Sequence, residues 1–400
     1  MEKQKQSATK NMGFTGAFAV ACVLFSSHAG GGFATGNQAT QYYVQYGWIA
    51  PIMAVIAMAL LTLTIRECII MYNSRRLSSY KELFQTLYHP FDKLSILFDI
   101  YFYTMVLCAV GAVIAGAASL LNKTYDIPYV YAVISVGAML LAMTIFGASM
   151  VSKASTIMSI GILSSCAVIF ILGINAKISV LSNLFSVRSG SGNLAKGILN
   201  AFTYAGFQSV VIPTMISCGN TLKSPKEVSR SMMISFVINS IALVLSIIML
   251  LGWYVEFTQA GETTLPSLYI SKQLGKTYVF WAYNICLFLC FISTGVTTIY
   301  GFVAKFEEAK LLSKINKVII RRIIVSCFIM TLSMGISMVG LDKIIKYGYG
   351  YMGYLGIAII IVPFLTVGVY KNRKYLKQKN NYEKLNSNNS IFFEENIELK

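Results

Sequence analysis

Apolar residues fill runs of about 20 positions, the length that crosses roughly 30 Å of hydrocarbon as a helix. Ten such runs are readable: Gly13–Tyr43, Trp48–Tyr72, Leu94–Leu121, Tyr129–Met150, Ala154–Ile174, Leu194–Cys218, Ser231–Val255, Tyr278–Ala304, Ile323–Leu341 and Tyr349–Tyr370. The first is interrupted. Residues 26–36 read SSHAGGGFATG, with consecutive glycines at Gly30, Gly31 and Gly32 and another at Gly36. Each interior glycine costs a helix about 1 kcal/mol relative to alanine. In hydrocarbon a broken helix survives only where protein, water or a ligand satisfies the freed backbone. The pattern predicts a helix that unwinds at a cavity near mid-membrane.

A weaker interruption lies in the sixth run. TYAGFQSVVIP, residues 203–213, sets Gly206 beside Tyr204 and Gln208, and Pro213 removes a helix hydrogen bond further on. Both breaks open their half of the chain. Five spans, 13–174, precede five more, 194–370, at an offset of about 175 residues, and an odd number inverts the second set. Paired interruptions in two inverted halves point to a binding site at the bilayer midplane. The predicted class is an all-α integral membrane protein, ten helices in a five-plus-five inverted repeat, with helices 1 and 6 discontinuous.

The candidate solute contacts are His28, Ala29, Gly30, Gly31, Gly32 and Thr35 in span 1, with Tyr204, Ala205, Gly206 and Gln208 in span 6. Half-helix N-termini suit an anionic group, and freed carbonyls suit a cation. The competing reading is that these glycines serve only close helix packing.

Composition agrees with the pattern. Of 400 residues 56% are hydrophobic and only 12% charged, and mean hydropathy is +0.64; soluble domains carry about 25% charged residues. The net charge of +17 does not indicate nucleic acid, because the basic residues sit at loop ends. With both termini cytoplasmic in a cell membrane, about 25 of the 33 Lys and Arg fall on the cytoplasmic side. Residues 1–12 then form a cytoplasmic lead, and 371–400 a basic, disordered tail. The alternative, a cleaved signal peptide at the start, leaves nine spans and places that tail outside. Segment 261–276, GETTLPSLYISKQLG within it, fits a short surface helix, a gate or a plain connection.

All eight cysteines lie in apolar segments, without a paired C-x-x-C, and read as small buried hydrophobes. Charge inside the spans is scarce. His28 stands at the break, able to carry a proton, contact solute or cap freed carbonyls. Asp99, near the cytoplasmic end of span 3, is a further proton-coupling candidate, and Lys153 at the mouth of span 5 suits snorkelling to the interface. Arg66 and Glu67 read as an interfacial pair, and His89, before Pro90, as a solvated loop residue.

The stretch GGGFATGNQATQYYVQYGW resembles the first-span signature of YkvI-type membrane proteins, a branch of the amino acid–polyamine–organocation superfamily with the LeuT fold. TYAGF, followed by KSPKEVSR, is similar to that superfamily's sixth span and the loop after it. The resemblance implies a bundle of spans 1, 2, 6 and 7 rocking against spans 3, 4, 8 and 9. It also implies that hydroxyls in FISTGVTTIYG, Ser293 with Thr294 or Thr297 with Thr298, are candidates for a sodium ion, and that Lys153 in span 5 is a proton-coupling candidate in place of sodium. The competing reading is that such hydroxyls bond their own backbone. Similar sequences carry a carboxylate just after F-A-[ST]-G, where this chain has neutral Asn37 and Gln38, which puts an ion role for an acid there in doubt.

The expected function is secondary transport of a small organic solute, an amino acid or related compound, by alternating access coupled to sodium or protons. The alternative is a non-transporting ligand sensor of the same fold, like the membrane subunits of germinant receptors. No nucleotide-binding G-x-x-x-x-G-K-[ST] segment, H-E-x-x-H or nucleophile with its base is present, so neither ATP-driven transport nor an enzyme is expected. The expected partners are solute and lipid, with no cofactor or metal beyond a sodium ion.

Overall fold

The computed structural model describes residues 16–28, 30–190, 193–306, 315, 317–379 and 381, without the side chains of 147–159, 304 and 305. Every regular element described is helical. Span 1 is α1 (Gly16–His28), then the short helices α2 (Gly31–Ala34) and α3 (Asn37–Tyr42). A 3-10 segment, Val44–Ile49, leads into α4 (Ala50–Ser74), and α5 (Tyr80–Tyr88) lies between spans 2 and 3. Span 3 is α6 (Ile96–Tyr125). Spans 4 and 5 are α7 (Tyr129–Ala142) and α8 (Ala148–Ala176), joined through a π-turn at Met143–Gly147.

Residues 178–186, between the fifth and sixth apolar runs, form α9 (Ile178–Ser186), bent 72° from the preceding helix. Span 6 is α10 (Leu194–Gln208), one 3-10 turn (Ser209–Val211) and α11 (Ile212–Gly219). Then follow α12 (Pro225–Gln259), α13 (Pro266–Gln273), α14 (Thr277–Phe306) and α15 (Val318–Ser337). The last span starts as α16 (Leu341–Lys343), passes through π-turns and α17 (Gly350–Gly356), and stays helical to Lys379.

Seven of these helices are long and apolar enough to cross a membrane, eight with the bent pair 160–186 taken as one. The two interrupted segments, spans 1 and 6, complete the set. The helices are apolar outside as well as inside: Phe146 is 82% exposed and Tyr131 68%. Helices apolar all round belong in lipid.

Several boundaries differ from the hydropathy reading for local reasons. Span 7 starts at Pro225 rather than Ser231 because the Ser224 hydroxyl accepts from Glu227 N, while the Glu227 carboxylate accepts from Lys223 N. This is a capping box on a polar first turn. Span 10 starts at Leu341 rather than Tyr349; Gly340, at φ 89°, turns the chain from α15 into it. It also continues nine residues into the expected tail. There Asn372 Nδ2 donates to the Glu67 carbonyl and carboxylate at 3.0 and 2.9 Å, and Arg75 stacks on Tyr375. These contacts give that polar turn a reason to fold.

Helix α14 packs against α8 and α6, α12 against α4, and α10 against α17. The middle of each interrupted span is buried in the bundle, at residues 33–40 of span 1 and 203–209 of span 6.

Candidate functional site

Span 1 unwinds where the glycines predict. The break lies between His28 and Gly31; Gly30 is extended, at φ −69° and ψ −172°. Ala29 lies outside the described residues. A second turn follows at Gly36, whose φ of 78° only glycine adopts without strain.

Each glycine of the run faces a different neighbour. A Cβ on Gly31 would enter the ring of Phe291 from α14, and a Cβ on Gly116 of α6 would strike the same ring. The Phe291 ring is thus wedged between two spans that lack side chains there. A Cβ on Gly32 would fall 2.5 Å from the Gln38 amide nitrogen, so the Gln38 side chain lies back across the break. Gly30 faces Thr294.

At the break stands His28, 3% exposed. Its Nδ1 lies 2.8 Å from Asn239 Oδ1 on α12, and its Nε2 lies 2.8 Å from the Tyr204 hydroxyl on α10. Tyr204 also reaches Gln38 Oε1 at 3.3 Å and Gln208 Nε2 at 3.5 Å. Asn239 Nδ2 donates to the Ser235 carbonyl and hydroxyl. One network thus ties both halves of span 1 to spans 6 and 7. Its members are polar yet uncharged in their ordinary forms, and all are buried. Aromatic rings enclose it: Tyr42, Tyr43 and Phe207 around Tyr204, and Phe33 against His28.

No family model and no curated protein matches the sequence. Solved structures do. A Na+-coupled sialic acid symporter, substrate-bound and outward-open, superposes with a TM-score of 0.61 at 12% identity, covering 88% of this chain and 79% of that one. MhsT in complex with L-phenylalanine gives 0.61 at 15% identity over 86% and 87%. Mhp1 in its inward-facing conformation gives 0.58 at 11% over 87% and 76%. The chain has the LeuT fold. At these identities the likeness is one of architecture.

Within the LeuT fold the predicted residues separate into those that meet and those that do not. His28, Tyr204 and Gln208 meet. Thr35 is occupied locally: its hydroxyl donates to Gly32 O, its Oγ1 accepts from Asn37 N, and its carbonyl accepts from Ser267 N. The interruption in span 6 falls at Ser209–Val211, just past Gly206, and is milder than an unwound break because its flanking residues keep right-handed helical angles. The Ala205 carbonyl takes the Ser209 hydroxyl at 2.8 Å. Those of Gly206 and Phe207 accept from Tyr101 at 2.6 and 2.9 Å. Gly206 itself packs against the backbone of Gly353 in α17, which is the packing reading of that glycine.

In span 8, Thr297 donates back to Ser293 O at 2.8 Å, and its side chain is exposed. Thr294 is the hydroxyl beside the break; Ser293 is buried and Thr298 half-buried. Asp99 accepts from Tyr80 of α5 at 3.0 Å. The Lys153 side chain lies outside the described residues. Arg66 and Glu67 do pair. Exposed His89 approaches Asp92 at 3.2 Å.

Three participants escape a reading of runs and breaks. Asn239 is one; its signal is the stripe Ser231, Ser235, Asn239 at four-residue spacing, one face of a helix. Ser231 and Ser235 donate to the Ala17 and Ala21 carbonyls of α1. Asp342 accepts from Asn37 Nδ2 and from Thr264 Oγ1, both at 2.6 Å. The third, Tyr43, is wholly buried against Tyr204.

Proposed function

We propose that the chain is a secondary active transporter of a small organic solute, an amino acid or related zwitterion, working by alternating access. One observation carries the reading: the buried network that joins His28, Tyr204, Gln38 and Asn239 across a span-1 break in the centre of a LeuT fold. Among the described residues the network has no carboxylate, lysine or arginine. A solute of net charge entering it would lose hydration without a counter-charge, which is costly. A zwitterion or a neutral polar solute would instead pair with amides, hydroxyls and freed backbone groups.

Protons are the coupling ion this reading favours. His28 is the network's basic group among the described residues, and an imidazole can take up a proton on its second ring nitrogen without breaking another bond. Sodium held by the span-8 hydroxyls Ser293 and Thr294 is the second reading, favoured by the position of Thr294 beside the break. Termini on the cytoplasmic side, as the basic loops suggest, complete the proposed topology.

The test begins with a thermal-shift screen of the purified protein against amino acids, with and without sodium. Hits go to uptake in proteoliposomes under an imposed pH or sodium gradient. Accumulation driven by pH and lost in His28→Ala supports the reading. Binding without accumulation under either gradient would favour the sensor. Binding unchanged by both Gly31→Leu and Gln208→Ala would move the solute site elsewhere.

A further inference from the structure

The Tyr204 hydroxyl has one proton and two acceptors, His28 Nε2 at 2.8 Å and Gln38 Oε1 at 3.3 Å. Which one takes it depends on the protons of His28, and those are fixed from the other side of the ring. The Ser235 carbonyl can only accept, so the Asn239 amide nitrogen faces it and Asn239 Oδ1 faces His28. Nδ1 must therefore carry a proton. In neutral His28 that leaves Nε2 bare, and Tyr204 donates to it. In the imidazolium Nε2 carries its own proton and donates to the Tyr204 oxygen, so the phenolic O–H turns to Gln38. No O–H bond breaks; the added proton resides on Nε2.

We propose that Asn239 and Gln38 are positioning residues for proton coupling: Asn239 sets the tautomer of His28, and Gln38 receives the Tyr204 proton when His28 is charged. The proposal rests on reading His28 as the proton carrier. Its consequence is mechanical. With neutral His28, Tyr204 bonds the α1 half of span 1 and leaves Gln38, whereas charged His28 completes the chain His28–Tyr204–Gln38 and ties both halves of span 1 to span 6; the bond from His28 to Asn239 of span 7 is kept in both states. Gln208 donates to the Tyr204 oxygen at 3.5 Å and serves in both states. The groups packed on His28 are Asn239 from α12, Tyr204 from α10 and Phe33 from α2. Tyr42 and Tyr43 lie behind Tyr204. Phenols are thus the other titratable groups of the network among the described residues.

The chain has only two histidines, His28 and His89, so His89→Gln leaves a single imidazole for nitrogen-15 NMR on the full-length protein. The expected spectrum of neutral His28 shows Nδ1 protonated and Nε2 bare. Asn239→Leu should turn that into a tautomer mixture. Gln38→Leu should keep the tautomer and weaken solute binding about tenfold, and at saturating solute it should still reduce pH-driven uptake about tenfold, the scale of one lost buried hydrogen bond. Gln38→Glu, which keeps an acceptor, should restore it. An Nε2-protonated neutral ring in the parent protein would overturn the role of Asn239. Full pH-driven uptake in Gln38→Leu would overturn that of Gln38. Parent protein whose uptake ignores the pH gradient would instead remove the proton reading beneath both, and the tautomer would still decide what Asn239 does.

Discussion

Asn37 donates to the Asp342 carboxylate at 2.6 Å across 305 positions of sequence. The same amide nitrogen meets the Thr263 and Thr264 carbonyls at 3.2 and 3.0 Å, and Thr264 Oγ1 donates to the other carboxylate oxygen. Span 1 beyond its break, the segment before α13 and the start of span 10 are thus held at one point. That point lies at the end of the bundle opposite the basic loop that opens α12, because α13 follows α12. The sequence reading left 261–276 open between a surface helix, a gate and a connection. Within it α13 buries Pro266, Ser267, Leu268, Ile270 and Ser271, and Ser267 N donates to Thr35 O at 3.1 Å.

Removing the carboxylate should loosen this end. Hydrogen bonds to charged groups contribute about 1.5–3 kcal/mol each, and Asp342→Ala loses two. Labelling of Ser267→Cys by a water-soluble thiol reagent should become about tenfold faster in the Asp342→Ala background, measured against the native cysteines. An unchanged rate would show that other contacts hold α13.

Gly32→Ala tests the path of Gln38. Gly32 has an ordinary helical backbone, so alanine adds no backbone strain; its methyl would instead meet the Gln38 amide. The displaced amide should lose Tyr204, and solute affinity should fall about tenfold, equivalent to roughly one buried hydrogen bond. Gly16→Ala, with open space around the added carbon, is the control and should bind solute normally in the same thermal-shift assay.

Gly206→Val should destabilise the protein without touching the His28 network. A Cβ there meets the Gly353 carbonyl, and Gly356 approaches Gly206 equally closely from the next turn. Overpacking typically costs about 1–3 kcal/mol. The expected readout is a melting temperature lower by several degrees. An unshifted melting curve would mean that spans 6 and 10 separate freely.

Acid should fray the start of α5. The Glu82 carboxylate accepts from the Ser78 hydroxyl and backbone N–H, which holds its pKa below the usual glutamate range. A depressed carboxylate contributes stability that is complete above its unfolded pKa and is lost as pH falls through the lower folded value. Hydrogen exchange at Ser78, corrected for intrinsic rate, should therefore accelerate below about pH 4. In Glu82→Gln that acid dependence should disappear.

Much of the architecture was legible one residue at a time. Hydrocarbon length and the cost of an unpaired backbone group act locally, so apolar runs locate the spans, and Gly30–Gly32 with Gly36 locate the unwound part of span 1. Inverted halves follow from counting. The same local logic left Gly206 open between a break and a helix contact; in three dimensions Gly206 packs against Gly353, and span 6 is interrupted just past it at Ser209–Val211. The helix of span 10 runs on past the predicted apolar run, where Asn372 meets Glu67 and Arg75, 305 and 297 positions away.

The site divides in the same way. Sequence alone determined that a histidine and a run of glycines share a break inside the membrane, because composition and spacing fix what a lipid-buried backbone can do. Only the tertiary structure decided what that break faces: Asn239 on one side of the imidazole, Tyr204 on the other, Gln38 folded back over Gly32, and Asp342 across from Asn37. Hydrogen bonds are directional and short, so their partners follow from packing in three dimensions, and no periodicity along the chain encodes them.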